Sequence, residues 1–233
     1  MKAMILAAGR GERMRPLTDN CPKPLLQVGK EPLIGWHLRR LKQAGITEIV
    51  INHAWLGEKI EETLGNGYQY GVKISYSPEQ NGGLETAGGI ATALPLLGDE
   101  PFLVVNGDIL TDIDFQTAFQ ISDTLIQQKK SAYLWLVPNP PHNPNGDFVL
   151  DSDGRIYPDN KARGETLTFS GMGIYQPTLF KNTPAHQIAK LAPLLRIAMN
   201  NNSVIGEKHN GLWLDVGTVE RLETANKLAE NWQ

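Results

Sequence analysis

Glycines and positively charged side chains are concentrated in one stretch near the start of the chain, from Leu6 to Leu25. Gly9 and Gly11 allow the backbone to turn tightly and to approach a ligand closely. Three arginines follow within the same segment, and Lys23 adds a fourth cation. Backbone amides on a flexible loop, together with cations, are the groups that bind the oxygens of a polyphosphate. The stretch therefore predicts a site for a small, highly charged anion.

Acidic side chains supply a second type of group that phosphate chemistry uses. Asp108 directly follows an apolar segment, Phe102 to Val105, and Asp215 stands in the string from Trp213 to Thr218. Carboxylate oxygens suit Mg²⁺, which takes few protein ligands and keeps several waters. The alternative roles are a helix cap or a turn residue for Asp108 and a helix cap for Asp215.

Two common phosphate-binding patterns do not fit the glycine stretch. The dinucleotide pattern Gly-x-Gly-x-x-Gly fails because Met14 occupies the third glycine position. No Gly-Lys-Ser or Gly-Lys-Thr follows, so a Walker loop is excluded as well. Glycine spacing alone leaves an ordinary strand-to-helix turn with basic surface residues as an alternative.

Alternating strands and helices are predicted to position these groups. After the strand Ala3 to Leu6, hydrophobic periodicity predicts strands over 46–52, 73–77 and 102–105 and helices over 32–44, 55–64, 84–97 and 114–128. This alternation predicts an α/β fold, Rossmann-like, with a mainly parallel sheet and helices on both faces. Ligands bind at the carboxyl ends of such strands, so the glycine stretch and Asp108 should face one cleft.

The second half of the chain changes to hairpins and should extend the sheet into a mixed one with a small hairpin or lid subregion. The predicted strands are 132–137, 148–150, 155–157, 166–175 and 212–215, and the predicted helices are 177–181, 187–199 and 218–231. Thr218 is the expected N-cap of the last helix. No linker is visible, so we expect one domain over residues 1–233.

Composition limits the classes of protein that this chain can belong to. A hydrophobic fraction of 41% and a charged fraction of 20% are typical of a soluble globular protein. The net charge of -3 gives no support to nucleic-acid binding, and no apolar run approaches the roughly 20 residues of a membrane span. Cys21 is the only cysteine and no signal peptide is expected before the first strand, which favours the cytoplasm. The oligomeric state is not indicated.

The whole string in this region resembles the signature of the sugar-phosphate nucleotidyltransferases. It comprises Leu6-Ala7-Ala8-Gly9-x-Gly11-x-Arg13, then Pro16-Leu17-Thr18, then Lys23-Pro24-Leu25. Members of this family join a nucleoside triphosphate to a sugar 1-phosphate and release pyrophosphate. The resemblance implies Mg²⁺ as cofactor, held by the aspartate of a Gly-Asp pair and by one in a Trp-x-Asp-Val-Gly-like string. These aspartates correspond to Asp108 and Asp215.

The resemblance also implies the nucleotide site, with residues 1–112 as the nucleotide-binding half. It makes Arg13 and Lys23 the catalytic cations, Arg13 on the triphosphate and Lys23 near the α-phosphate and the sugar phosphate. Arg10 and Arg15 are weaker candidates because acidic neighbours can pair with them. The stretch from residue 79 to 88 resembles the base-reading loop, and UTP is the implied nucleotide. The implied nucleotide-binding residues are Leu6, Ala8, Gly9, Gly11, Glu12, Arg13, Lys23, Glu79, Gly83 and Asn106.

For the sugar, the loop from Asn139 to Phe148 resembles the uridylyltransferase branch that acts on N-acetylmuramate 1-phosphate in peptidoglycan recycling. Residues 113–233 would form the sugar-binding half. In many relatives, a Glu-Lys-Pro string supplies a lysine that holds the sugar phosphate; here Thr166 follows Glu165, so that contact is missing or moved. Lys161 is a candidate substitute, an exposed loop lysine being the other interpretation. The implied sugar-binding residues are Gly146, Asp147, Glu165, Ser170 and Gly171.

Two further functions stay open beside this one. The same chemistry could act on another pair, as in mannose-1-phosphate guanylyltransferases or glucose-1-phosphate thymidylyl- and uridylyltransferases. A non-catalytic subunit that senses nucleotide sugars is the alternative from another class. The presence of Arg13, Lys23, Asp108 and Asp215 favours an enzyme over such a subunit.

Overall fold

A mixed sheet of nine strands runs through the centre of the molecule, in a computed structural model that describes residues 1–80, 82–159 and 163–232. The strands, in chain order, are β1 (Ala3–Leu6), β2 (Gln27–Val28), β3 (Glu31–Pro32), β4 (Glu48–His53), β5 (Lys73–Pro78), β6 (Phe102–Asn106), β7 (Ile109–Thr111), β8 (Ala132–Val137), β9 (Phe148–Leu150), β10 (Ile156–Tyr157), β11 (Glu165–Tyr175), β12 (Val204–Lys208) and β13 (Trp213–Asp215). The α-helices are α1 (Leu17–Asn20), α2 (Leu33–Gln43), α3 (Gly57–Leu64), α4 (Glu85–Leu97), α5 (Ala118–Gln127), α6 (Leu191–Asn200) and α7 (Val219–Ala229).

The parallel part of the sheet comes from the first half of the chain. β1 pairs in parallel with β4 on one side and β6 on the other, and β5 continues the parallel order beyond β4. β11 then joins β6 antiparallel, followed by β8 and, in parallel with β8, β12. The carboxyl ends of β1, β4, β5 and β6 therefore lie along one edge, which is where an α/β sheet binds its ligands.

Side chains alternate between two apolar layers along the parallel strands. Ala3 and Ile5 of β1 pack against the layer that contains α2, α3 and α5, whereas Met4 packs against the layer that contains α4 and α6. β4 and β6 alternate in the same way. The prediction of a mainly parallel α/β sheet with helices on both faces is confirmed.

A third apolar cluster lies beside the sheet and holds the end of the chain in place. It includes Met14, Trp36, Leu110, Val216 and Ala225. Because these side chains come from the glycine stretch, α2, β7, the segment after β13 and α7, the cluster joins distant parts of the chain. The small antiparallel pair of β7 and β13 lies next to it.

Most predicted elements are confirmed within a few residues, and two departures have physical causes. α6 begins at Leu191 rather than near residue 187, because the preceding segment binds the start of α4: Gly88 N–H donates to the carbonyl of Ala189. β12 was not predicted as a strand. Its hydrogen bonds go to β8, which precedes it by about 70 residues in the sequence, so its partner is not local.

Candidate active site

The glycine stretch forms a tight turn directly after β1. Gly11 has φ +70°, and a Cβ atom at this position would lie 2.9 Å from Cγ2 of Thr18, so glycine is required there for two reasons. Thr18 is fully buried and its hydroxyl donates to the carbonyl of Gly11 at 2.6 Å. Met14 anchors the following turn in the third apolar cluster. Thr18 of the signature therefore stabilises the loop from within.

A cavity of about 550 Å³ opens at the carboxyl ends of β1, β4, β5 and β6. The predicted nucleotide-binding and metal-binding residues on its wall are Leu6, Ala8, Gly9, Gly11, Lys23, Glu79, Gly83, Asn106 and Asp108. Residues on the wall that were not in the predicted set include Arg10, Asn52, Trp55, Glu85 and Thr86. The fold thus brings the glycine turn, a lysine and an aspartate together around one space.

Lys23 and Asp108 form an ion pair on the cavity wall. The ammonium of Lys23 lies 2.6 Å from Oδ2 of Asp108, and the lysine is almost entirely buried. A Lys residue is rarely buried unless its charge is paired, so this contact explains why it can sit there. Asp108 therefore does more than shape a turn, because its carboxylate forms an ion pair with a distant lysine.

Asp215 lies next to Asp108 because β13 pairs with β7. Asp215 is opposite Ile109 in the strand register, and Val216 N–H donates to the carbonyl of Asp108 at 2.9 Å. The Asp215 carboxylate is 2.9 Å from Nη1 of Arg221. The alternative role as a helix cap does not hold, since the hydroxyl of Thr218 accepts the capping bond from Arg221 N–H, as predicted for Thr218.

Two of the predicted nucleotide-binding residues, Glu12 and Arg13, are exposed and are not among the described residues that line the cavity. The guanidinium of Arg13 lies against Gly217, where a methyl group would be 2.8 Å from Nη2 of Arg13 and 2.9 Å from Oδ1 of Asp215. The structure therefore places Arg13 beside Asp215. The roles of Glu12 and Arg13 toward a nucleotide stay predictions.

Glu79 holds the predicted base-reading loop to the sheet. Its Oε1 accepts from Asn52 Nδ2 and its Oε2 accepts from the N–H of Leu84, both at 2.7 Å. Asn52 Oδ1 in turn accepts from the N–H of Ala7 at 2.8 Å. The buried carboxylate thus ties the end of β1, the end of β4 and the loop together. Contact of Glu79 with a base stays a prediction.

The predicted sugar-binding residues form one group next to Asn106, with one exception. Asp147 Oδ2 accepts from the N–H of Phe169 at 2.8 Å, which ties Gly146 and Asp147 to the strand just before Ser170. Gly171 has φ +83°, and a Cβ there would lie 2.5 Å from Nδ2 of Asn106. Their contact with a sugar stays a prediction.

The exception is Glu165, which is the first residue of β11. Its carboxylate is exposed and lies 2.6 Å from the ammonium of Lys208. Lys161, the candidate substitute for the sugar-phosphate lysine, lies outside the described residues. Among the described residues, Glu165 therefore has no contact that links it to the cavity.

An aromatic pair connects the predicted sugar and metal groups. Trp213 Nε1 donates to the carbonyl of Ser170 at 2.8 Å, and the ring of His142 stacks on Trp213 with the centroids 6.4 Å apart. Nε2 of His142 is 3.6 Å from Oδ2 of Asp215. Through these contacts Trp213 reaches Ser170 and His142 reaches Asp215. Their links to Ser170 and Asp215 could not be predicted, since they depend on contacts between distant loops.

A buried histidine lies in the core behind the site. His37 of α2 is 2% exposed, and burial lowers its pKa to about 4. The positive charge of Arg40 acts in the same direction, whereas the carboxylate of Asp108 acts in the opposite one. His37 is therefore neutral at physiological pH and adds no charge beneath the carboxylates.

The described part of the chain contains no group of three or more His, Cys, Asp or Glu side chains arranged to hold a metal ion. The predicted magnesium site is accordingly a pair of carboxylates, Asp108 and Asp215. Asp108 directly precedes β7, Asp215 ends the paired strand β13, and both side chains are partly open to solvent. This donor set fits Mg²⁺, which takes one or two carboxylates and completes its shell with water and phosphate oxygens.

Two residues of the site, Asn52 and Arg221, were not predicted from the sequence, and only one of them had a sequence pattern that could have revealed it. Asn52 ends a predicted parallel strand, so its place at the ligand-binding edge could have been read from the same rule that found Asp108. Arg221 had no such signal. It looks like an ordinary polar residue in the first turn of α7, and only the packing of α7 turns it toward Asp215.

An α/β sheet whose carboxyl edge carries a cationic glycine turn and two adjacent carboxylates defines an enzyme class that acts on phosphate groups. The chain belongs to the nucleotidyl transferase family, which matches residues 2–231. The family resemblance seen in the sequence is thereby confirmed. Among the described residues, none of the helices combines the length and the apolar composition that a membrane span requires.

Two relatives that share one name align with almost the whole chain, and a third aligns with most of it. An N-acetylmuramate alpha-1-phosphate uridylyltransferase from Neisseria meningitidis serogroup B is 66% identical and aligns over 100% of both chains. A protein of the same name from Caulobacter vibrioides is 31% identical over 98% of this chain and 97% of its own. A UTP–glucose-1-phosphate uridylyltransferase from Synechocystis is 32% identical, over 80% of this chain but 52% of its own.

A solved structure shares the fold. It is a Bacillus anthracis protein in complex with sucrose, described as a glucose-1-phosphate thymidylyltransferase, with a TM-score of 0.84 and 25% identity. The match covers 100% of this chain and 96% of that one.

Proposed function

We propose that this protein joins UTP and N-acetyl-α-muramate 1-phosphate to give UDP-N-acetylmuramate and pyrophosphate, as a step of peptidoglycan recycling in the cytoplasm. The observation that carries the proposal is the 66% identity to the N. meningitidis uridylyltransferase across the full length of both chains. The cavity supports it, because the glycine turn, Lys23 and Asp108 converge there. The single cysteine supports the cytoplasm.

The reaction has an electrostatic problem, since both reacting phosphates are anions. Cations must hold them in line, while the oxygen of the sugar phosphate is already a nucleophile and needs no base. The backbone amides of the glycine turn and the ammonium of Lys23 would hold the triphosphate. Arg13, whose guanidinium lies near Asp215, would add a further positive charge toward the triphosphate.

The two carboxylates have a separate task. Asp108 and Asp215 would hold Mg²⁺, which supplies charge neutralisation to the phosphate oxygens when it is bound. Arg221 would keep Asp215 oriented through its contacts with the carboxylate and with the Asp215 carbonyl at 3.0 Å. Glu79 would keep the base-reading loop in place through Leu84.

The nearest competing function uses the same chemistry on glucose 1-phosphate, as the 32% identity to the Synechocystis relative suggests. A panel of four nucleoside triphosphates against several sugar 1-phosphates, read by pyrophosphate release, separates the two. We expect the highest kcat/KM for UTP with N-acetylmuramate 1-phosphate. A preference for another pair would contradict the proposal. Tight binding of nucleotide sugars with no pyrophosphate released from any pair would instead support the non-catalytic subunit.

A further inference from the structure

We propose that Arg10 is a binding residue for the β- and γ-phosphates of the nucleotide, held in position by stacking on Trp55. The inference rests on the proposed function, because it assumes that the cavity takes a nucleoside triphosphate. It concerns an arginine that the sequence analysis ranked, together with Arg15, below Arg13. The position of each arginine of the glycine stretch in the fold is what separates them.

The three arginines point to three different places. Arg10 lines the cavity together with the glycine turn. Arg13 lies against Gly217 and outside the described lining. Arg15 is exposed, and its Nε lies 2.7 Å from Oδ1 of Asp19. Arg10 is therefore the arginine of this stretch that faces the space where a triphosphate would lie.

Arg10 is held in a defined orientation. The central carbon of its guanidinium lies 3.6 Å from the centroid of the Trp55 ring. Arg10 Nη1 and Trp55 Nε1 both donate to the carbonyl of Thr18, at 3.1 Å and 2.9 Å. Since Thr18 also braces Gly11, the stacked pair is attached to the turn itself. A guanidinium stacked by its face keeps donors at its edge, and these suit the fork geometry of phosphate oxygens.

The charge of Arg10 is only weakly neutralised within the protein. Its Nη2 lies 3.7 Å from Oδ1 of Asp19, the same oxygen that Arg15 contacts at 2.7 Å. Lys23, the other cation among the described residues of the wall, is paired with Asp108 at 2.6 Å. Arg10 thus supplies positive charge that is available to an anion in the cavity.

The positive charge of Arg10 offsets acidic side chains on the cavity wall. Glu79, Glu85 and Asp108 line the same cavity, so a wall without Arg10 would carry three acidic side chains against one lysine. A triphosphate would be repelled more strongly than a monophosphate by such a wall. The effect of Arg10 should therefore depend on the number of phosphates in the ligand.

The test compares the binding of UTP and UMP by calorimetry, with the full chain and Mg²⁺. Arg10→Gln should weaken UTP binding about tenfold or more, as expected for the loss of a charge-assisted contact, and leave UMP binding within about twofold. Arg10→Lys should recover part of the loss. Trp55→Leu should weaken UTP binding in the same direction, and Trp55→Phe should restore it. Arg196→Gln is the matched control, because Arg196 packs over the ring of Phe148 and is not among the described residues of the wall.

Equal losses for UTP and UMP, or no loss for either in a variant with an unchanged melting temperature, would overturn the role of Arg10. The comparison does not depend on the base. If the substrate panel selects another nucleotide, its own triphosphate and monophosphate are compared. A chain that shows no turnover but whose triphosphate preference disappears in Arg10→Gln would refute the proposed function and leave the assignment of Arg10 intact.

Discussion

The ammonium of Lys23 lies 2.6 Å from a carboxylate oxygen of Asp108, although 85 residues separate the two along the chain. A similar arrangement holds the second carboxylate, since Arg221 contacts Asp215 at 2.9 Å. Each carboxylate of the predicted metal pair therefore has its own cation. Two neighbouring carboxylates repel each other, so these cations stabilise Asp108, which directly precedes β7, beside Asp215 at the end of β13.

Replacing Lys23 by Met should lower turnover by about two to three orders of magnitude, because in the proposed function its ammonium is a preorganised cation for the reacting phosphates. The initial rate of pyrophosphate release at saturating UTP measures the effect. Lys181→Met, at an exposed lysine in a loop, serves as the control. A Lys23→Met enzyme that keeps more than a tenth of the rate would show that this ammonium does not act on the reacting groups.

Substitution of the two aspartates should change the response to magnesium. We expect Asp108→Asn to abolish turnover, and Asp215→Asn to raise the Mg²⁺ concentration for half-maximal rate by about tenfold or more. Asp153→Asn, in the exposed β9–β10 hairpin, is the control for loss of an acidic charge. The measurement is the rate of pyrophosphate release over a Mg²⁺ titration. Unchanged activity of Asp108→Asn at ordinary Mg²⁺ levels would contradict the metal assignment.

Replacement of Glu79 by Gln should disturb the predicted base-reading loop. Both carboxylate oxygens accept hydrogen bonds, from Asn52 and from Leu84 N–H, so the NH₂ group of a glutamine would face a donor on one side. We expect a loss of about 1–3 kcal/mol in the free energy of unfolding and a higher KM for UTP. Urea denaturation and steady-state kinetics measure the two effects. Glu62→Gln, on the exposed side of α3, should change neither, and equal behaviour of the two variants would refute the network.

His37 should make the protein less stable as the pH falls. Its pKa is about 4 in the folded state and about 6.5 when exposed, so the unfolded state binds the proton more readily. His37 hardly changes the free energy of unfolding above about pH 6.5, and it lowers this free energy progressively between about pH 6.5 and pH 4. From pH 7 to pH 5 the loss should be about 2 kcal/mol.

The measurement for His37 is urea denaturation at both pH values. His37→Leu should remove this part of the pH dependence, whereas His186→Gln, at an exposed histidine, should keep it. An identical pH dependence in His37→Leu and the parent protein would show that His37 is not buried in its neutral form.

Local patterns were sufficient for most elements. β8 was predicted with its exact bounds, and α2 within one residue of each end, because a helix stripe and an apolar strand repeat at short periods. The bounds of α6 were wrong at the start, and β12 was missed. Both depend on partners far away in the sequence: the first turn of α4 for the segment before α6, and β8 for β12.

The sequence by itself determined which chemical groups are available and which edge of the sheet most of them share. Glycines, cations and aspartates directly after predicted strands must lie at the carboxyl ends of those strands, as the glycine turn and Asp108 do. Only the tertiary structure decided which side chains touch. It directs Arg10 into the cavity and Arg13 toward Asp215, and it brings Arg221 from α7 onto that same carboxylate. The reason is physical: spacing along the chain sets the direction of the backbone, whereas the direction of a long charged side chain is set by the distant segments that pack around it.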